Sequence, residues 1–95
     1  MEFPKTIKSF VLHDMRGKWT YKGKELRSAH YIRVGSRMSL FINTESDIDG
    51  NLSYAIRLRD STITGIATLK EAIHVVETVI DENEDFISQY TMLVE

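Results

Sequence analysis

The chain has 95 residues, 42% of them hydrophobic, with 12 basic and 14 acidic side chains, one proline and no cysteine. One domain is expected over 1–95, and the lack of cysteine excludes a disulfide framework, a four-cysteine zinc site and a cysteine nucleophile. No run of about 18 apolar residues exists, and the opening Met1-Glu2-Phe3-Pro4-Lys5 lacks a long apolar stretch, so the expectation is a cytoplasmic protein with no membrane span or signal peptide.

From Thr6 to Asp60 apolar and polar residues alternate with period two, broken by turn residues, as in an antiparallel meander. Strands are predicted near 7–13, 18–22, 24–34, 38–46 and 52–60, so the sheet spans about 7–60. Lys22-Gly23 reads as a two-residue turn. Gly35-Ser36-Arg37 and Ile48-Asp49-Gly50 read as three-residue turns, and Asp14 to Gly17 as a four-residue loop. Residues directly opposite each other share a face, so each turn fixes a register. These turns set Trp19 opposite Leu26, Ile32 opposite Leu40 and Ile42 opposite Ile56. Leu26, Ile32 and Val34, then Met38, Leu40 and Ile42, then Leu52, Tyr54, Ile56 and Leu58 form one apolar face.

After Thr64-Gly65 the period becomes helical. Leu69, Ala72, Ile73, Val76, Val79 and Ile80 follow the i, i+3, i+4, i+7 spacing of a core-facing stripe. Thr68 with Glu71 three residues on is a capping box, so the helix is predicted over 68–83, covering the apolar face. The run Asp81-Glu82-Asn83-Glu84-Asp85 is unfavourable at a helix C-terminus. Residues 84–95 are left open, with Phe86 to Val94 either helix or a last strand. The predicted class is α+β: a five-stranded antiparallel meander with one C-terminal helix packed on one sheet face.

The same registers specify the uncovered face. Tyr31 falls opposite Phe41, and Phe41 opposite Arg57; the next row is Arg33, Ser39 and Arg59. Arg27 opposite Glu45, then Lys18 and His13, lie toward the other end. Aromatic rings ringed by arginines suit single-stranded nucleic acid, because bases stack on rings while guanidinium groups hold phosphates. RNA-recognition sheets use aromatics on central strands in this way. The layout resembles the curved-sheet-plus-helix single-stranded DNA-binding coactivator domains. The bland alternative is a cross-strand pair, or the centre of a homodimer.

Charge is sorted along the chain. All 12 basic residues lie within 1–70, where 7 acidic residues leave +5, and residues 71–95 carry 7 acidic residues and no Lys or Arg, giving −7. Such asymmetry points to an electrostatic partner, or to two halves that attract each other. Glu77, Asp81, Glu82, Glu84 and Asp85 form an acidic segment that imitates a run of phosphates. In size and charge the chain resembles small phage-encoded inhibitors, including anti-CRISPR proteins.

Catalytic and metal signatures are lacking. Glu45 to Leu52 follows the start of an EF-hand loop, but the twelfth position, which must supply a bidentate Glu, is Ile56. His13, His30 and His74 share no ligand spacing, and His30 is placed on the inward face as a hydrogen-bonded core histidine. No enzyme activity, cofactor or metal is expected. The leading expectation is a non-enzymatic binding module for single-stranded DNA or RNA, using Lys18, Arg27, Tyr31, Arg33, Phe41, Arg57 and Arg59. The alternative is a protein-binding inhibitor acting through 77–85 or the sheet face, and a homodimer is compatible with both.

Overall fold

Alternating apolar and polar residues build six antiparallel strands, followed by one helix, in a computed structural model that describes residues 3–33, 38–58 and 61–85, the side chains of Lys18 and Trp19 apart. The strands are β1 (Thr6–Ile7), β2 (Phe10–Tyr21), β3 (Lys24–Arg33), β4 (Ser39–Ser46), β5 (Leu52–Leu58) and β6 (Ser61–Ile66), paired in sequence order. The helix α1 (Leu69–Glu82) lies against one face. The α+β class and the antiparallel sheet under a C-terminal helix are as expected; the count of five strands is not. Val34, the Gly35-Ser36-Arg37 turn, Arg59 and the segment Phe86 to Val94 lie outside the described residues.

Two of the expected turns hold. Lys22 and Gly23 both have positive φ, at 49° and 76°, the conformation of the hairpin turn that matches strand twist. The turn therefore keeps Trp19 opposite Leu26. Gly50, at φ 88°, closes the β4–β5 turn, with Asp47 N–H donating to the Asn51 carbonyl, and Ile42 stays opposite Ile56. Asp47 holds this turn by accepting the N–H groups of Asp49 and Asn51, both at 2.9 Å. These bonds, the Asn51 backbone one foremost, hold its carboxyl below the usual range.

The loop expected at 14–17 is strand. β2 runs through it with two register shifts, one between Leu12 and Asp14 and one between Met15 and Lys18. Each leaves one more residue on β2 than on β3, which is the signature of a β-bulge. Gly17, at φ 72°, supplies the left-handed residue of the second. The bulges merge the two strands predicted at 7–13 and 18–22 into one. Two further strands make six: Thr6–Ile7 folds back onto the start of β2 as β1, and 61–66 pairs back onto β5, setting Ile56 opposite Ile63 and Arg57 opposite Thr62.

A one-residue register difference matters most. Ile32 pairs with Ser39 rather than Leu40, so His30 faces Phe41 and Tyr31 faces Leu40. A slip of one residue exchanges the two faces of a strand. Ala29 and Tyr31 therefore turn to the core, beside Phe10, Met38, Leu40, Ile42, Ile56 and Leu58, while Ile32 turns away. Leu26 is buried all the same, and Leu52, expected inside, is 37% exposed.

Leu69, Ala72, Val76 and Ile80 of α1 are buried against this face, with Ile73 and Val79 partly so, as the helical stripe predicts. A fully buried Leu, Ile or Phe is worth ~1.5–3 kcal/mol, so this stripe holds the helix down. Thr68 Oγ1 accepts the Glu71 N–H at 3.1 Å and caps the start. Asn83 closes the end, its N–H and side-chain amide both donating to the Val79 carbonyl. No basic residue lies in the last turn of α1. Cations from the β1–β2 turn and from β3 serve there instead, Lys8 to Asp81 at 3.4 Å and Arg33 to Glu84 at 2.8 Å.

Candidate functional site

The sheet face turned away from α1 carries a polar and aromatic cluster built by β2, β3 and β4. Its centre is His30, whose ring stacks on Phe41 with centroids 4.5 Å apart and planes 12° from parallel. The first bulge brings His13 to the same face, where its ring meets His30 edge-on at 5.6 Å. Within the second bulge, the Arg16 guanidinium lies 6.0 Å from the Phe41 centroid. Arg57 of β5 is exposed opposite Phe41 and continues the row.

His30 is only 5% exposed, and both of its ring nitrogens are bonded. Nδ1 lies 3.0 Å from Asp14 Oδ1, and Nε2 lies 3.0 Å from Ser39 Oγ. Ionised Asp14 can only accept, so Nδ1 donates to it; the Nε2 of a neutral ring then accepts the Ser39 hydroxyl proton. Burial acts to raise the Asp14 carboxyl, but the bond from His30, then the charge and hydrogen bond of Arg16 and the charge of His13, outweigh it and hold the group below its ordinary value. Arg16 Nε donates to the second carboxylate oxygen at 3.3 Å. One row further along, Ser28 Oγ donates to Asn43 Oδ1 at 2.6 Å.

Asp14, His30 and Ser39 share the connectivity of a nucleophilic triad. None of the three lines the clefts of about 230, 440 and 340 Å³ that are formed by described residues. What the chain of bonds does here is fix the imidazole plane parallel to the Phe41 ring.

Several residues nominated from the sequence are elsewhere. Tyr31 is fully buried on the helix side, and its hydroxyl donates to the Pro4 carbonyl at 2.7 Å. Burial pushes its phenol up to about 12. Arg33 is on the helix side too, paired with Glu84, and its Nη1 is buried with no hydrogen-bond partner among the described residues. Arg27 shares that side and pairs with Glu25. All three departures have one cause, the one-residue difference in the β3–β4 register. The Lys18 backbone pairs with Arg27, its side chain lies outside the described residues, and so does Arg59. Phe41 and Arg57 remain on the outer face, with Phe41 half-buried.

Conversely, His30, expected inward, is the centre of the outer cluster, and Asp14, Arg16 and Ser39 join it. The signal that could have found them is chemical. A buried inward His30 needs two polar partners, and only the outer register offers Asp14 and Ser39 together. On the acidic segment, Asp81 and Glu84 are engaged by Lys8 and Arg33. Glu77 is half-buried beside Lys70, Ile73 and His74, while Glu82 and Asp85 are exposed.

Among the described residues no helix is long and apolar enough to cross a membrane. Comparison with protein-family models, with curated proteins and with solved structures gave no match.

Proposed function

We propose that this protein is a non-enzymatic binding module that holds single-stranded nucleic acid across the sheet face opposite α1. The observation that carries the reading is the parallel His30–Phe41 stack with Arg16 at one side and Arg57 in the next strand. Planar groups set in a row across strands extend naturally into stacked bases, and guanidinium groups beside them meet phosphates. The contact set is narrower than the sequence alone suggests: His13, Arg16, Phe41 and Arg57, with the buried His30 ring behind Phe41.

A fluorescent single-stranded oligonucleotide, titrated with the protein at several salt concentrations, tests this. Affinity falling steeply with salt, at about −0.7 in log–log slope per phosphate engaged, is the expected result. Phe41→Ala should weaken binding by at least ~1 kcal/mol, since base–aromatic stacking is worth about 1–3 kcal/mol per base. Absence of binding at low salt contradicts the reading.

A second reading, a small protein-binding inhibitor of the phage type, draws on the exposure of Glu82 and Asp85 at the end of α1. Its acidic surface is smaller than the sequence alone suggests, because Lys8 and Arg33 engage Asp81 and Glu84. Capture of a nucleic-acid-binding protein that survives Glu82→Gln and Asp85→Asn together would remove it.

A further inference from the structure

On the helix side of the sheet, three polar residues form one row across neighbouring strands. Ser28 pairs with Asn43 and Thr44 with Tyr54, so Arg27, Thr44 and Tyr54 stand side by side on β3, β4 and β5. With Glu25, Phe3, Leu52 and Leu69 they line a cleft of about 230 Å³ beside the start of α1.

The row has bonding capacity that the fold does not use. Glu25 takes the Nε of Arg27, and the two Nη groups have no hydrogen-bond partner among the described residues. Thr44 is only 6% exposed, and its hydroxyl too has no partner among the described residues. Buried hydroxyls are nearly always paired, because leaving one unpaired costs about 1–3 kcal/mol. The apolar wall has an unused part as well, since Leu52 belongs to the helix side yet is 37% exposed.

We propose that this cleft binds a small organic monocarboxylate, its carboxylate on Arg27 and Thr44 and its apolar body against Phe3, Leu52 and Leu69. The open edge of a guanidinium presents parallel N–H groups that hold a carboxylate bidentately. The hydroxyls of Thr44 and Tyr54 donate to the same group from the adjacent strands. Leu69 is the first residue of α1, whose positive end favours an anion beside it. Glu25 sets the ligand's charge, because its carboxylate offsets part of Arg27 and repels a dianion more than a monoanion. The volume, below the ~300–1,000 Å³ of drug-sized sites, limits the body to one ring or a short branched chain.

This cleft lies on the α1 side and the proposed nucleic-acid surface on the other, so either can fail without the other.

An amide-resonance titration of the full chain with phenylacetate tests the proposal. Saturable shifts in the millimolar range, centred on Arg27, Thr44, Tyr54 and Leu69, are expected. Phenylacetamide, of the same shape without the charge, should bind about tenfold more weakly, as should phenylacetate to Arg27→Gln, since each loses a charge-assisted pair. Thr44→Val should weaken phenylacetate about two- to tenfold while folding at least as stably as the parent, because the unbound chain loses no hydrogen bond. Phenyl phosphate, a dianion, should bind more weakly than phenylacetate. Absent shifts, shifts centred elsewhere, equal affinity for the amide, tighter binding of phenyl phosphate, or full affinity in folded Arg27→Gln or Thr44→Val would each overturn it.

Discussion

The His30 imidazole lies 4.5 Å from the Phe41 ring and 12° from parallel to it, fixed in that plane by Asp14 on one nitrogen and Ser39 on the other. Phe41, half-buried and backed by this fixed ring, has little rotational freedom left to lose when a ligand stacks on it. Pre-ordering of this kind is what makes a surface group useful in binding. His30→Ala should therefore weaken oligonucleotide binding by loosening Phe41, and by less than Phe41→Ala does. His30→Gln, which cannot stack equivalently, should not restore it. Fluorescence anisotropy on the three variants checks this, and full affinity in His30→Ala would detach the stack from function.

Asp14 gives the cluster an acid dependence of definite sign. Its carboxyl titrates below the ordinary value in the folded chain, so the stability it contributes is fully present above the unfolded value of 3.8 and is lost as pH falls through the lower folded value. The urea midpoint of Asp14→Asn should fall less steeply than that of the parent chain below pH 3.8. Parallel acid limbs would mean the His30 bond does not act on Asp14.

Tyr31 has the opposite sign at the other end of the scale. Its phenol rises from 10.0 to about 12 on burial, so its contribution is complete below pH 10 and is lost as pH rises through about 12. Tyr31→Phe should flatten the alkaline limb of stability. At neutral pH the same variant should cost about 1–2 kcal/mol, because the Pro4 carbonyl loses its donor. Urea unfolding with tyrosinate absorbance at each pH reads both effects.

The helix cap is a fourth, local test. Thr68 Oγ1 satisfies the Glu71 N–H, and Thr68→Ala should lower stability by about 1 kcal/mol. Oligonucleotide affinity, read on the far side of the sheet, should not change.

Much of this architecture is legible in the sequence where one residue has a single structural use. Lys22-Gly23 and Gly50 stand where φ must be positive, so their turns and registers follow from local chemistry. The Leu69 to Ile80 stripe and its Thr68 cap likewise leave little choice. Gly17 is different, since a left-handed glycine serves a loop and a bulge equally well, and only pairing across to β3 distinguishes them. β3 is ambiguous because Leu26, Ile32 and Val34 on one face compete with Ala29 and Tyr31 on the other. Tyr31 prevails inside because its ring fills the core while its hydroxyl reaches Pro4, and His30 finds Asp14 and Ser39 outside. The choice carries Arg27 and Arg33 to the helix side, where Arg33 meets the acidic end of α1. The attraction between the basic and acidic parts of the chain, legible in the charge order, is thus realised within the molecule at Lys8–Asp81 and Arg33–Glu84.

The most direct test of the account compares arginines on the two faces. Oligonucleotide affinity would be measured across a salt series for Arg16→Gln and Arg57→Gln, on the outer face, and for Arg27→Gln and Arg33→Gln, on the helix side. Each outer variant should lower the log–log salt slope by about 0.7, the value of one single-strand phosphate contact, while the helix-side variants should leave it unchanged. Equal losses from both faces, or losses only from Arg27 and Arg33, would contradict it.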